Sequence, residues 1–300
     1  MILCGLVNTQ NTCGLNTFVQ CFANIIKEDI HKFPLNNTKY PQTTNLLELV
    51  NLMKENTNNK IIPTKFVKEF FRDSPFKLGE QQDVTELWIY IIDKIHEELS
   101  IPTPFTSDIE EQTINKILKD KTSIIRENLM GCTACNRICT VCNTIIKNYE
   151  PFSLYYINLE SSILEGLCNT FKKQEEDHNC EKCNIKTKQK KYIKLIQAPK
   201  YLMVSIKRFD NNMKKLQDSI FINKIMSFKT KDLNGNIAEE NKYKLFATAC
   251  HHGSYGSGHY TTILYDGDKS YSINDKNISQ EQTPSNINSQ NAYVIVYQKI

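Results

Sequence analysis

Residues 251–275 read HHGSYGSGHYTTILYDGDKSYSIND, and this stretch decides the fold class. HYTTILY at 259–265 is β-branched and aromatic with partial alternation, the pattern of a half-buried strand. The Asp266–Gly267 pair that follows marks a hairpin turn into KSYSI. The glycines ahead of the strand predict a mobile loop that delivers His259 to the strand's start. Asn274 and Asp275 lie across the turn, so they are expected as cross-strand neighbours of His259 at a shared sheet end.

Working outward, the same strand pattern recurs at 149–159, 191–198, 200–209, 242–250 and 292–300, all after Gly131. The stretches 210–241 and 279–291 are polar and read as loops. Upstream the period changes. GLNTFVQCFANIIK at 14–27 puts Leu15, Phe18, Val19, Phe22 and Ile26 at helical spacing. QQDVTELWIYIIDKIHEEL at 81–99 carries a continuous apolar stripe through Val84, Leu87, Trp88, Ile91, Ile92, Ile95 and Leu99. Between them, 35–60 is polar with a weaker helical patch at 45–54, and 62–73 reads as a short helix opening at Pro63. A helical first part up to about residue 128, followed by a sheet, makes the chain α+β.

The chain has 300 residues, enough for two ordinary domains or one with a large insertion. Its 37 basic and 33 acidic side chains leave a net charge of +4, too balanced to indicate a nucleic-acid or membrane-surface partner. No secretory signal is visible at the start, and no run approaches the ~18 apolar residues of a membrane span. An intracellular, reduced chain is therefore expected, in which 11 cysteines point to metal ligation and buried thiols rather than disulfides. Six of them form CxxC pairs: Cys132/Cys135, Cys139/Cys142 and Cys180/Cys183. Two such pairs make a tetrahedral four-cysteine zinc site, so one pair is spare. Cys4, Cys21, Cys168 and Cys250 stand alone in apolar stretches and read as packing residues.

Cys13 falls at the start of the first helix, where the helix dipole favours a thiolate. Asn8 and Asn11 precede it with amides able to donate to an oxyanion. A cysteine nucleophile needs a histidine base that is itself oriented by an amide or carboxylate. His31, His96 and His178 sit in polar or helix-surface contexts; His259, with Asn274 and Asp275 across the hairpin, is the candidate base.

These segments carry a resemblance. GLVNTQNTCGLNTFVQCF resembles the cysteine box of the ubiquitin-specific proteases. GEQQDVTELWIYIIDKIHEEL resembles their glutamine–aspartate helix, and KLFATACHHGSYGSGHYTTILYDGDKSYSINDKNIS their histidine box. The second and third CxxC pairs, EPFSL after Cys142 and LIQAPKYLMVSIKRF after Cys183 follow in the family's order. The similarity extends from Gly5 to Tyr297.

The resemblance implies a papain-like cysteine protease fold forming a single catalytic domain over 1–300. Its expected parts are a helical thumb at about 1–128, antiparallel β fingers with the start of the palm at 129–209, and a mixed α/β palm with the histidine box at 210–300. It implies Cys13 as nucleophile, His259 as general base, Asn274 as third triad member with Asp275 as a possible substitute, and Asn8 as the oxyanion-hole amide. Cys139, Cys142, Cys180 and Cys183 would hold a structural zinc, leaving Cys132 and Cys135 spare. Asp83 and Glu86 would meet the arginine-bearing tail of ubiquitin, although a helix N-cap with an acidic partner accounts for the same pair. Gly258 and Tyr260 would line a channel for a Gly-Gly terminus, with Gln82 and His252 also on the substrate side.

Two positions depart from the family pattern: Gln10, where glycine is usual, and Gly14, where an aromatic is usual. Gln10 would restrict the loop, and Gly14 removes packing behind the nucleophile. The implied activity is a deubiquitinase acting on ubiquitin and ubiquitinated proteins. The alternatives are an impaired ubiquitin-binding homologue or a protease for another ubiquitin-like modifier. The expected molecule is a monomer of the cytoplasm or nucleus. Because the chain starts just before the cysteine box, no accessory targeting domain is expected.

Overall fold

In the computed structural model, which describes residues 1–36, 38–233 and 235–300 and only the main chain of Glu110, the helical part comes first. β1 (Gly5–Leu6) leads into α1 (Cys13–Ile26), α2 (Pro41–Glu55), β2 (Lys60–Ile61), α3 (Thr64–Asp73) and α4 (Val84–Leu99). β3 (Ile101–Pro102) pairs with β4 (Lys121–Thr122) around α5 (Ile109–Ile117), and α6 (Ile124–Leu129) follows. No helix among the described residues is long and apolar enough to cross a membrane.

The remainder is mostly sheet. β5 (Gly131–Cys139) and β6 (Ile145–Phe152) come first, then β7 (Tyr155–Asn158) and α7 (Ile163–Phe171), then β8 (Gln174–Cys180) and β9 (Ile185–Gln197). β6-β5-β9-β8 form a four-stranded antiparallel sheet. Next come β10 (Tyr201–Lys207), β11 (Ile220–Ile222), β12 (Ile225–Lys231), β13 (Ile237–Ser254) and β14 (Ser257–Asp266). β15 (Lys269–Asn274), β16 (Asn277–Gln282), β17 (Ile287–Ser289) and β18 (Ala292–Lys299) complete the chain. The larger sheet runs β16-β15-β14-β13-β18-β10-β7, with β12 also on β13.

Alternation divides the core between the two faces of this sheet. Tyr201, Met203, Ala247, Ala249, Val294 and Val296 join α1 and α4 in one cluster. Leu202, Val204, Ile206, Ile295 and Tyr297 pack with α7 and β11 in the other.

α1 is buried along its whole length, so its polar stripe must find partners inside the protein. Asn16, Gln20 and Asn24, four residues apart on one face, donate to the carbonyls of Leu6 (3.3 Å), Cys4 (2.7 Å) and Ile2 (3.0 Å). This ladder fastens the N-terminal segment along the helix. On its other side Gly5 lies against the β15–β16 turn, where an added Cβ would sit 2.3 Å from the Lys276 carbonyl oxygen.

The expected helices at 14–27, 62–73 and 81–99 are α1, α3 and α4, and the patch at 45–54 extends to the whole of α2. The polar stretch 210–241 is not a loop throughout: it holds β11, β12 and the start of β13. β16 and β17 likewise occupy most of 279–291. Asn37 and Asn234, inside the polar stretches, lie outside the described residues. Arg208, fully buried, helps to order 210–241 by donating to the carbonyls of Ala292, Asp218 and Ser289 at 2.7, 2.8 and 2.8 Å.

Gly5→Ala is expected to cost about 1–3 kcal/mol, because the Lys276 main chain must move to admit a methyl group. Denaturant unfolding measures this, and wild-type stability would contradict the close approach.

Candidate active site

β14 and α1 meet at the site. The β13–β14 hairpin is tight, with Ser254 opposite Ser257 and Gly256 at φ +68°, so the stretch expected as a mobile loop is largely ordered strand. His259 accordingly lies inside β14 rather than at its start. The Asp266–Gly267 turn is present, with Asp266 opposite Lys269. β15 ends at Asn274, and Asp275 at φ +51° turns the chain into β16. At that end His259 Nε2 lies 2.7 Å from Asn274 Oδ1 and 3.7 Å from Asp275 Oδ2. With Nε2 donating to the amide oxygen, Nδ1 is the basic nitrogen of the neutral imidazole.

Asp275 ties this sheet end to α1. Its Oδ2 accepts from Asn8 Nδ2 at 3.0 Å and its Oδ1 from Asn16 Nδ2 at 2.8 Å, while its main-chain oxygen accepts from the Leu6 N–H. Asn8 is fixed at its other end too, accepting from the Thr12 N–H at 3.0 Å. Gln10 and Asn11 between them both stand in the left-handed region, at φ +64° and +62°. Gln10 therefore adopts the conformation that glycine would take more readily.

Cys13 opens α1, whose first turn has no side-chain cap, so its N–H groups are available at the thiol. The outcome for the thiol differs from the sequence expectation. Burial pushes the Cys13 pKa up, and the Asp275 charge pushes the same way. The N–H groups of Tyr260, Gly14 and Cys13 itself pull it down without reversing the sign. No hydrogen bond joins Cys13 to His259 among the described residues. Gly14 leaves the Tyr260 ring in ordinary contact, 3.7 Å from where a Cβ would stand.

The other expected contacts divide clearly. Asp83 caps α4 by accepting from Thr85 N–H at 2.7 Å through Oδ1, and its Oδ2 takes the Tyr293 hydroxyl at 2.6 Å. Glu86 is exposed on the first turn of α4. Gln82 turns to the carbonyls of Lys77 and Glu80. His252 faces His259 across the hairpin and contacts Thr261 Oγ1 at 3.0 Å. Gly258 is required by packing: a Cβ there would lie 2.1 Å from Nε2 of His251.

His251, not singled out from sequence, is buried among Phe209, Tyr260 and Tyr293, and burial lowers its pKa to about 4. Asn16 and Gln81 were also missed. Asn16 had a signal in the amide repeat at 16, 20 and 24; Gln81 stood beside the residue that was named.

Cys139, Cys142, Cys180 and Cys183 converge at the end of the four-stranded sheet, with all four sulfurs within 4.8 Å of one another. The Cys139–Cys183 edge is 3.9 Å and the Cys142–Cys180 edge 3.6 Å. A tetrahedral metal with ~2.3 Å bonds to sulfur has edges of roughly 3.8 Å, so the donor set fits a structural metal site. Cys132 and Cys135 do not belong to it. Both lie within β5, and residues three apart on a strand face opposite sides of the sheet, so the pair cannot close on one ion.

The family model for the ubiquitin carboxyl-terminal hydrolases matches residues 4–297. The chain belongs to this family. Ubiquitin carboxyl-terminal hydrolase 4 of Eremothecium gossypii is 25% identical over 370 residues, covering 99% of this chain and 42% of that protein. Usp2 of Drosophila melanogaster is 25% identical over 334 residues, covering 99% and 35%. The chain thus spans less than half the length of these relatives. The SAGA Ubp8/Sgf11/Sus1/Sgf73 module bound to ubiquitin aldehyde superposes over 100% of this chain and 70% of its own with a TM-score of 0.76 at 18% identity, a likeness of fold.

The signs at Cys13 fix a pH dependence. Its alkylation should rise with pH through an inflection above the ~8.5 of an ordinary thiol, and Asp275→Asn should move that inflection down by removing the charge that helps to raise it. An inflection at or below that ordinary value in the wild type would contradict this account.

Proposed function

We propose that the chain is a deubiquitinase that hydrolyses the bond after the C-terminal glycine of ubiquitin. The observation that carries the reading is local: Cys13 lines one recess with Tyr260, the residue after His259, whose imidazole is held by Asn274 at 2.7 Å. A nucleophile and an oriented base are thereby brought to one strand edge. Family membership over nearly the whole chain supports ubiquitin as the substrate.

In this reading Cys13 gives its proton to His259 Nδ1 and attacks the glycine carbonyl. The oxyanion is held by the uncapped N–H at the start of α1 and by the second hydrogen of Asn8 Nδ2, the first being held by Asp275. His259 then protonates the departing amine, and water it activates hydrolyses the thioester. Asn274 is the third member, being 2.7 Å from the imidazole against 3.7 Å for Asp275. Asp275 acts as the anchor of Asn8 and α1. Glu86 receives the cationic tail, while Asp83 serves it indirectly by fixing the start of α4.

We assign the thumb to about 1–128, the fingers with the start of the palm to 129–209, and the rest of the palm to 210–300, in one catalytic domain acting as an intracellular monomer. The four-cysteine site at the fingertip is read as structural zinc, which would clamp the β5–β6 and β8–β9 turns together.

Ubiquitin bearing a C-terminal electrophile should form a covalent adduct that Cys13→Ser abolishes; no adduct from a folded protein would overturn the reading. Glu86→Lys should raise KM for a ubiquitin substrate about tenfold or more with kcat little changed, the effect of turning attraction into repulsion at a cationic tail. Cys180→Ser should lose bound zinc by elemental analysis and about 3 kcal/mol or more of stability, while Cys132→Ser and Cys135→Ser should retain the metal.

A further inference from the structure

The edge of β14 beside Cys13 is open. β15 pairs with β14 only from Thr262 onward, so Ser257–Thr261 have no strand partner on that side among the described residues. Residues two apart present their main-chain groups to the same edge, roughly 6.7 Å apart. Of these, Tyr260 lines the recess at Cys13. Gly258 offers both groups to one side chain: its N–H donates to Gln81 Oε1 at 3.0 Å, and Gln81 Nε2 donates to its carbonyl at 2.7 Å. A carboxamide that binds both groups of one residue reproduces what the peptide unit of an added strand would do.

Gln81 also stands between two spaces. The recess at Cys13, lined in part by Gly14, Gln81 and Tyr260, measures only about 10 Å³, and Cys13 is 4% exposed. On the other side of Gln81 a cavity of about 510 Å³ opens between Glu86, Tyr156 and Tyr255. Gln81, Gln82 and Tyr260 line both spaces, so a chain running from that cavity to Cys13 passes beside these three residues. Gln81 is itself exposed, so its two bonds compete with water and exchange at low cost.

We propose that Gln81 is a placeholder for the substrate main chain: it occupies the pairing groups of Gly258 and is displaced when an extended, glycine-ended tail adds to the β14 edge. This rests on the reading of Cys13 as nucleophile and deepens it by assigning how the tail binds. A placeholder lowers apparent affinity by the fraction of molecules in which it is seated.

The test uses the full chain, Gln81→Ala, and Gln81→Glu, which keeps the size of the side chain but cannot donate to the Gly258 carbonyl. Iodoacetamide modification of Cys13 is followed by mass of its own peptide, and KM and kcat are measured on a ubiquitin C-terminal fluorogenic amide. Both variants should alkylate about three- to tenfold faster and show KM lower by a similar factor with kcat unchanged. Unchanged alkylation, or a raised KM, would overturn the proposal and leave Gln81 as an ordinary contact. Faster alkylation with no ubiquitin cleavage by any of the three proteins would support the placeholder and overturn the deubiquitinase reading instead.

Discussion

The geometry of the site depends on one carboxylate. Asp275 receives Asn8 on one oxygen and Asn16 on the other, and its main chain receives Leu6. It thereby joins the loop before Cys13, the helix that carries Cys13, and the strand end that carries Asn274. Hydrogen bonds to a charged group contribute roughly 1.5–3 kcal/mol each when well shielded, and with the side chain 13% exposed these two approach that range. The same charge has a chemical consequence. It raises the thiol pKa, so the group that aligns the candidate nucleophile also favours its neutral form.

Asp275 can act this way because α1 is enclosed on every side. A wholly buried helix must find its polar partners internally, and the amide N–H groups of Asn16, Gln20 and Asn24 do so by binding three alternate carbonyls of the N-terminal segment. The extended segment repeats every second residue and the helix every fourth, at rises of about 3.3 and 1.5 Å, so both advance by roughly 6–7 Å per contact. That match of periods lets one amide stripe hold an extended chain straight, and it sets the approach of Asn8. Gly5 completes the arrangement by letting the Lys276 main chain come within a distance that no side chain would allow.

The sequence was most legible where period and turn chemistry agreed. The stripe of α4, the apolar spacing of α1 and the Asp266–Gly267 hairpin each carry their own local cause, and the His259–Asn274 contact follows from that hairpin. Legibility failed where partners lie far off in the chain. β12 gains its strand form by pairing with β13, and Arg208 orders neighbouring main chain through the carbonyls of residues distant in sequence. Spacing alone also treats the three CxxC pairs alike. Cys139/Cys142 and Cys180/Cys183 sit where strands end and turn, bringing their sulfurs together, whereas β5 runs straight through Cys132 and Cys135 and sends them apart. The glycine-rich run before His259 forms a hairpin rather than a loop for a related reason: Gly256 serves the turn, while Gly253 is demanded by the Ser257 main chain and Gly258 by the His251 ring packed against it.

The raised thiol pKa and the closed recess have the same cause, and this bears on how the proposed chemistry begins. Burial opposes the thiolate because its charge would lose solvation, and each unit of pKa shift represents about 1.4 kcal/mol. The helix N-terminus and the Tyr260 N–H offset part of that cost, yet Cys13 is buried in a recess that Gln81 helps to line and is not hydrogen-bonded to His259. Displacement of Gln81 by a tail would open the recess and bring the substrate carbonyl, with its developing negative charge, onto the same N–H groups. Thiolate formation would then coincide with substrate entry instead of preceding it. A thiol held neutral until that moment is also a poor target for oxidants and alkylators, since the thiolate is the reactive form.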